Sequence, residues 1–192
     1  MIIDRRTKTT SIQSVKGLAV ALALTCTVLL GGCGGGEVAV DWERFDIVEW
    51  PALIPEGFTA REITRRYDVS GLKDARREHQ VERMRSEWVS APVVEAFDGK
   101  NVSVTGFVVP LDDGALKFAE FLLVPFAGAC VHVPPPPSNQ VIYVKSARRI
   151  YIEDLDQPYR VAGVLRTQSL TRDLASSGYT IEAEIVALDT RY

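Results

Sequence analysis

The sequence predicts a mainly β chain, with one helix placed ahead of a small closed barrel of about five strands. Short apolar segments bounded by Gly, Pro, Asn, Asp and Ser recur between residues 101 and 188. Two of these segments hold an internal glycine, which is where a closing sheet must bend. The stretch with helical apolar spacing precedes them all.

In order, residues 70–88 place Leu72, Ala75, Val81, Met84 and Trp88 on one helical stripe, and Pro92 ends it. The opposite side mixes Asp74, Glu78, Glu82 and Glu87 with Lys73, Arg76, Arg77, Arg83 and Arg85, the pattern of a solvated face. Asp98-Gly99 supplies a turn, after which 101–109 alternates Val102, Val104 and Gly106 against Ser103 and Thr105. Apolar runs follow at 117–124 and 140–144, then a short piece at 150–152, and 159–165 and 179–188 close the series. Between the last two, Leu170 and Leu174 are spaced as a single helical turn. Gly106 and Gly163 mark expected bulges or tight bends. The arrangement expected is an OB-like Greek-key barrel, without the helix that usually joins the third and fourth strands of that barrel.

The start of the chain reads as an export signal. Arg5, Arg6, Lys8 and Lys16 precede an uncharged apolar stretch from Leu18 to Leu30, and Leu30-Gly31-Gly32-Cys33 has the form of a lipobox. The stretch is about 13 residues, short of the roughly 20 that span a bilayer. The expected organisation is a signal peptide over 1–32, a lipid anchor at Cys33 with a tether and extended segment over 33–60, a helical segment over 61–90, and the barrel over 91–192. Acyl chains such as palmitate on Cys33 would hold the protein to a membrane. By resemblance to bacterial lipoproteins, Gly34 after the cysteine directs the chain to the outer membrane, facing the periplasm.

Removing residues 1–32, which carry +3, takes the formal charge from −3 to −6. An acidic exported domain is poorly suited to nucleic acid. The length suits one ordinary core, and no internal repeat is present. Of the three cysteines, Cys26 leaves with the signal and Cys33 takes the lipid, so Cys130 stands alone in an oxidising compartment.

Cys130 lies in Gly128-Ala129-Cys130-Val131-His132-Val133, which runs into Pro134, Pro135, Pro136, Pro137, Ser138, Asn139 and Gln140. An extended 129–133 would point Cys130 and His132 to one face. Three readings follow. A zinc site would use Cys130 and His132, completed by Asp112, Asp113, Glu120, His79, water or a partner. A thiol-dependent enzyme would use Cys130 as nucleophile and His132 as base. In the packing reading, Cys130 is a small buried hydrophobe and His132 steadies the proline loop. The four prolines cannot extend a ladder; they end a strand stiffly, or form a docking ridge with Asn139 and Gln140 as hydrogen-bonding groups. Phe107, Phe118, Phe121 and Phe126 read as core or wall residues.

The pattern GxCxHxPPPPxNQ, together with Gly106-Phe107-Val108-Val109-Pro110-Leu111, resembles an uncharacterised family of bacterial envelope lipoproteins, domain of unknown function family 3299. The resemblance covers the chain from about Trp88 to the C-terminus. Some members resemble companions of ABC-type envelope transporters linked to zinc supply. The expected role is therefore an exported, membrane-anchored binding or accessory subunit of an envelope system, with a transporter or other envelope protein as partner and zinc as the implied metal.

Overall fold

Alternation decides the barrel. In β2 (Asn101–Pro110), Val102, Val104 and Val108 point to the interior; β4 (Ile142–Tyr151) contributes Ile142, Val144 and Ile150; β5 (Pro158–Arg166) contributes Tyr159, Val161 and Leu165. In β3 (Lys117–Val124) the inward residues are Phe118, Phe121 and Leu123, three and then two apart, because the register against β4 shifts between Phe118 and Glu120. β8 (Tyr179–Leu188) adds Tyr179 and Ile181. The computed structural model describes residues 41–67, 70–111, 117–130, 135–172 and 175–191.

The strands pair in the order β2-β3-β4-β8-β5, and β5 returns to β2, so the sheet closes on itself. All contacts around this ring are antiparallel except β4 with β8, which is parallel. The chain is a five-stranded OB-like Greek-key barrel with N-terminal helices, as its strand pattern implies. The connection from β4 to β5 holds no helix. The apolar pieces at 140–144 and 150–152 belong to the single strand β4, whose middle, Lys145 to Arg149, is polar and mostly exposed. The expected helical turn at Leu170 and Leu174 is not formed. Leu170–Thr171 (β6) pairs instead with Ser176–Ser177 (β7) as a small hairpin, while Leu174 lies outside the described residues.

Both internal glycines mark close backbone approaches. β2 exchanges β5 for β3 as a neighbour around Phe107, and a Cβ on Gly106 would sit 2.6 Å from the Val124 carbonyl oxygen. At Gly163, where the β5–β8 register shifts, a Cβ would sit 2.1 Å from the Glu182 carbonyl oxygen.

The segment ahead of the barrel is a strap. Asp46–Ile47 (β1) pairs in parallel with β2 at Val102 and Ser103, where β3 does not reach. Trp42 stacks on the Arg160 guanidinium, 4.3 Å from ring centre to carbon. The Trp50 indole N–H donates to the Thr105 carbonyl at 2.7 Å, and Leu53, at the end of a 3-10 turn, is buried in the core. Two helices follow where the apolar spacing indicates one. The first, α1 (Ala60–Arg66), starts at a capping box in which Thr59 and Glu62 satisfy each other's backbone N–H groups. The second, α2 (Asp74–Val89), is tied to it by an ion pair of Arg66 with Glu87.

The whole ring of strands and both buried clusters lie within the compact unit Val40–Tyr192, which therefore carries a core of its own, the mark of a unit able to fold by itself. Residues 1–33, with the expected signal and Cys33, lie outside the described residues. Among the described residues no helix is long and apolar enough to cross a membrane.

Candidate functional site

The outer face of β2, β3 and β4 carries Phe107, Val109, Leu122, Val124 and Tyr143, and it is covered rather than solvated. Ala129 and Ala175, from the turn after β3 and from the β6–β7 hairpin, close over it, with Cys130 and Leu170 at the margin. OB barrels present this face and its neighbouring loops to oligomeric ligands. Here the chain's own residues fill it.

Cys130 is part of that cover. Its φ of +67° puts it in the left-handed region, so the segment is not extended at this residue and the alternation that would align it with His132 is broken there. His132 lies outside the described residues. Burial pushes the Cys130 thiol up to about 11 from 9.0, which makes the thiolate about a hundredfold scarcer at neutral pH. That environment opposes a nucleophile. Iodoacetamide at pH 7 is therefore expected to label Cys130 of a 34–192 form at least about fiftyfold more slowly in the native state than in urea. A native rate within about threefold of the unfolded one would show an activated thiol.

The same surroundings bear on zinc. Among the described residues no three His, Cys, Asp or Glu side chains come together. His79 is exposed on α2, and the Glu120 carboxylate accepts the Tyr143 hydroxyl. Asp112 and Asp113 lie outside the described residues. The described donors do not fit a zinc ion.

The proline run is not an exposed ridge in its described part. Pro136, Pro137 and Asn139 are buried, Pro135 and Gln140 are half-buried, and Pro134 lies outside the described residues. Long-range bonds explain this. Trp88 Nε1–H donates to the Pro135 carbonyl at 2.9 Å, Ser138 Oγ donates to the Ala91 carbonyl at 3.3 Å, and Asn139 Nδ2 donates to the Phe58 carbonyl at 3.1 Å. Gly178 N–H donates to the Ser138 carbonyl at 2.6 Å. The segment 135–140 is thus a clamp joining the strap, α2 and β8, and the hydrogen bond of the Asn139 amide is made within the chain.

Beside this clamp a groove of about 580 Å³ remains open. α2 lines it with Val81, Met84, Arg85, Trp88 and Val89, and the opposite walls are Pro135, Pro136 and the hairpin. The positions 81, 84 and 88 form the helical stripe legible in the sequence, but the barrel covers only part of it: Val81 is 40 % exposed and Val89 47 %. Arg85 and the hairpin residues give no functional signal in the sequence. They meet the stripe only through the fold.

A family model described as "Protein of unknown function (DUF3299)" matches residues 50–188. The chain belongs to the DUF3299 family. The match begins at Trp50, well upstream of Trp88, so the strap from Trp50 onward and both helices are part of the family's domain, a correction to the extent expected from the motif. A crystal structure of a DUF3299 family protein from Pseudomonas aeruginosa PAO1, at 2.45 Å resolution, is 33 % identical and superposes with a TM-score of 0.58 over 75 % of this chain and 95 % of that one. An OBody bound to hen egg-white lysozyme is 13 % identical with a TM-score of 0.29, over 53 % of this chain and 92 % of that one. No curated protein matches the chain.

Proposed function

We propose that this DUF3299 protein is an exported, lipid-anchored binding subunit of the cell envelope, which engages its ligand in the groove beside α2 instead of on the usual barrel face. The observation that carries the reading is the partly uncovered apolar stripe of α2, because an apolar concavity next to a filled barrel face is a place where a ligand can displace water from nonpolar surface. The N-terminal charge pattern and Leu30-Gly31-Gly32-Cys33 support export and anchoring at the outer membrane. Service to an envelope transport assembly, including one that handles zinc, is the role the family resemblance adds.

Anchoring is tested with Cys33→Ser in cells fed an alkyne-labelled palmitate. The native chain is expected to carry label and fractionate with membranes, and the variant to lose the label. Equal labelling of both would remove lipidation at Cys33. The groove is tested with a photo-crosslinking amino acid in place of Val81, against the same group in place of exposed Leu188 on the barrel. Discrete crosslinks from 81 and none from 188 are expected; identical patterns would exclude the groove as the binding surface.

A further inference from the structure

We infer that the groove takes a single-chain anionic amphiphile, an acyl chain ending in a carboxylate or comparable anion. This rests on the groove being the binding site. The volume, about 580 Å³, falls in the range of small-molecule sites. The chemistry of the walls then narrows the class. Among the described residues the charged groups lining the groove are Arg85 and Arg172, both cations; the Glu120 carboxylate that accepts the Tyr143 hydroxyl is not part of the lining. Arg172 donates to the Tyr143 hydroxyl at 3.1 Å and lies over that ring, whereas Arg85 makes no ion pair among the described residues. Arg85 is exposed on α2, one turn from Val81, so its guanidinium stands at the rim while the apolar stripe forms the floor.

The hydroxyls in the groove are already used. Thr64 donates to the Ala60 carbonyl at 2.8 Å, Ser138 to the Ala91 carbonyl, and Thr171 and Ser176 bond each other at 3.1 Å. An extended peptide or a sugar would bury N–H, C=O or O–H groups against walls that offer them few free partners, at a cost of about 1–3 kcal/mol for each group left unpaired. An acyl chain has no such groups along its length, and its single charged end needs one cation. Apolar floor, satisfied hydroxyls and an unpaired arginine at the rim together select that shape of ligand.

The test is calorimetric titration of residues 34–192 with sodium dodecanoate below its micelle-forming concentration, beside dodecyltrimethylammonium, which has the same chain length and the opposite charge. Dodecanoate is expected to bind one to one, at least tenfold more tightly than the cation. Arg85→Glu is expected to abolish that preference, and Val81→Asp to weaken dodecanoate at least tenfold; both positions are exposed, and thermal melts of the variants are expected to overlay the parent. Equal binding of the two amphiphiles, no effect of Arg85→Glu, or no dodecanoate binding each overturns the proposal. Crosslinks from position 81 that persist in cells when dodecanoate does not bind would leave the groove reading standing with a different occupant, such as an acidic amphipathic helix. Absence of both would remove the groove reading as well.

Discussion

Gly163→Ala is expected to destabilise the domain by about 3 kcal/mol or more, at the upper end of what overpacking costs, and to lower the melting temperature by roughly 6–12 °C. The added methyl would lie 2.1 Å from the Glu182 carbonyl oxygen, 2.8 Å from its carbon and 3.0 Å from Ala183 Cα. All three are backbone atoms of β8, so no side-chain rotation relieves the contact, and β5 must move away from the strand that completes the ring. Gly106→Ala is expected to cost less. Two of its three nearest contacts, Leu123 and Trp50 at 3.0 Å, are side chains, although the Val124 carbonyl oxygen at 2.6 Å is not. Gly57→Ala serves as the reference, since it meets no atom within 4 Å and carries only the penalty of a φ of +82°, about 1 kcal/mol. Urea denaturation of the three variants measures the order. A Gly163→Ala cost no larger than that of Gly57→Ala would show that β5 and β8 are farther apart than described.

Gly163 also shows what a single sequence can carry. A glycine within an apolar strand pattern already implies a close backbone approach, because any side chain there would have been tolerated on an open sheet. The same local logic makes β2, β5 and β8 legible from alternation, and makes 121–124 legible as a strand buried on two sides, since Phe121 and Leu123 face the barrel interior while Leu122 and Val124 face the outer cluster. It fails where residues answer to distant partners. The middle of β4 is polar, so no period joins 140–144 to 150–152, yet pairing with β3 holds the strand together. Leu170 takes a helical spacing with Leu174 but sits in a hairpin because it packs against the outer cluster. The capping box at Thr59 and Glu62 was written locally and marks the start of α1.

The candidate site divides along the same line. The stripe 81, 84 and 88 is readable as an apolar helix face, but its exposure is not, because periodicity says which residues share a face and not how much of that face the rest of the fold covers. The proline run reads as a ridge since proline cannot join a ladder, whereas the bonds that bury it reach from Phe58, Trp88, Ala91 and Gly178, each more than 35 residues away in sequence. Likewise, the proposed pairing of Cys130 with His132 assumes an extended backbone, and the left-handed turn at Cys130 removes that assumption.

The clamp has a counterpart inside the barrel in Tyr179. Its hydroxyl donates to the Leu53 carbonyl at 2.7 Å and accepts the Val94 N–H at 2.7 Å, joining the strap, the linker after α2 and the first residue of β8 through one buried oxygen. Tyr179→Phe keeps the ring and deletes that oxygen, leaving a part-buried N–H and a buried carbonyl without this partner, a loss of about 2–3 kcal/mol. The strap is expected to loosen before the barrel does, because the ladder of β8 is unaffected; amides of Leu53 and Ile54 would exchange faster while those of Ile181 hold. The phenol adds a pH signature. Burial, aided by the nearby Glu95 carboxylate and opposed by the Val94 N–H, pushes it up to about 12 from 10.0. A raised pKa in the folded state means the neutral phenol is preferred there, so its stabilisation is complete below about pH 10 and is lost as pH rises from about 10 to 12. Stability of the native chain should fall across that window, and Tyr179→Phe, less stable at pH 7, should fall less steeply there. Cys130, raised to about 11 from 9.0, contributes its own loss between about pH 9 and 11 in both proteins and so cancels in the comparison. Parallel alkaline limbs for the two proteins, or equal stability at pH 7, would show that the Tyr179 hydroxyl does not hold the strap to the barrel.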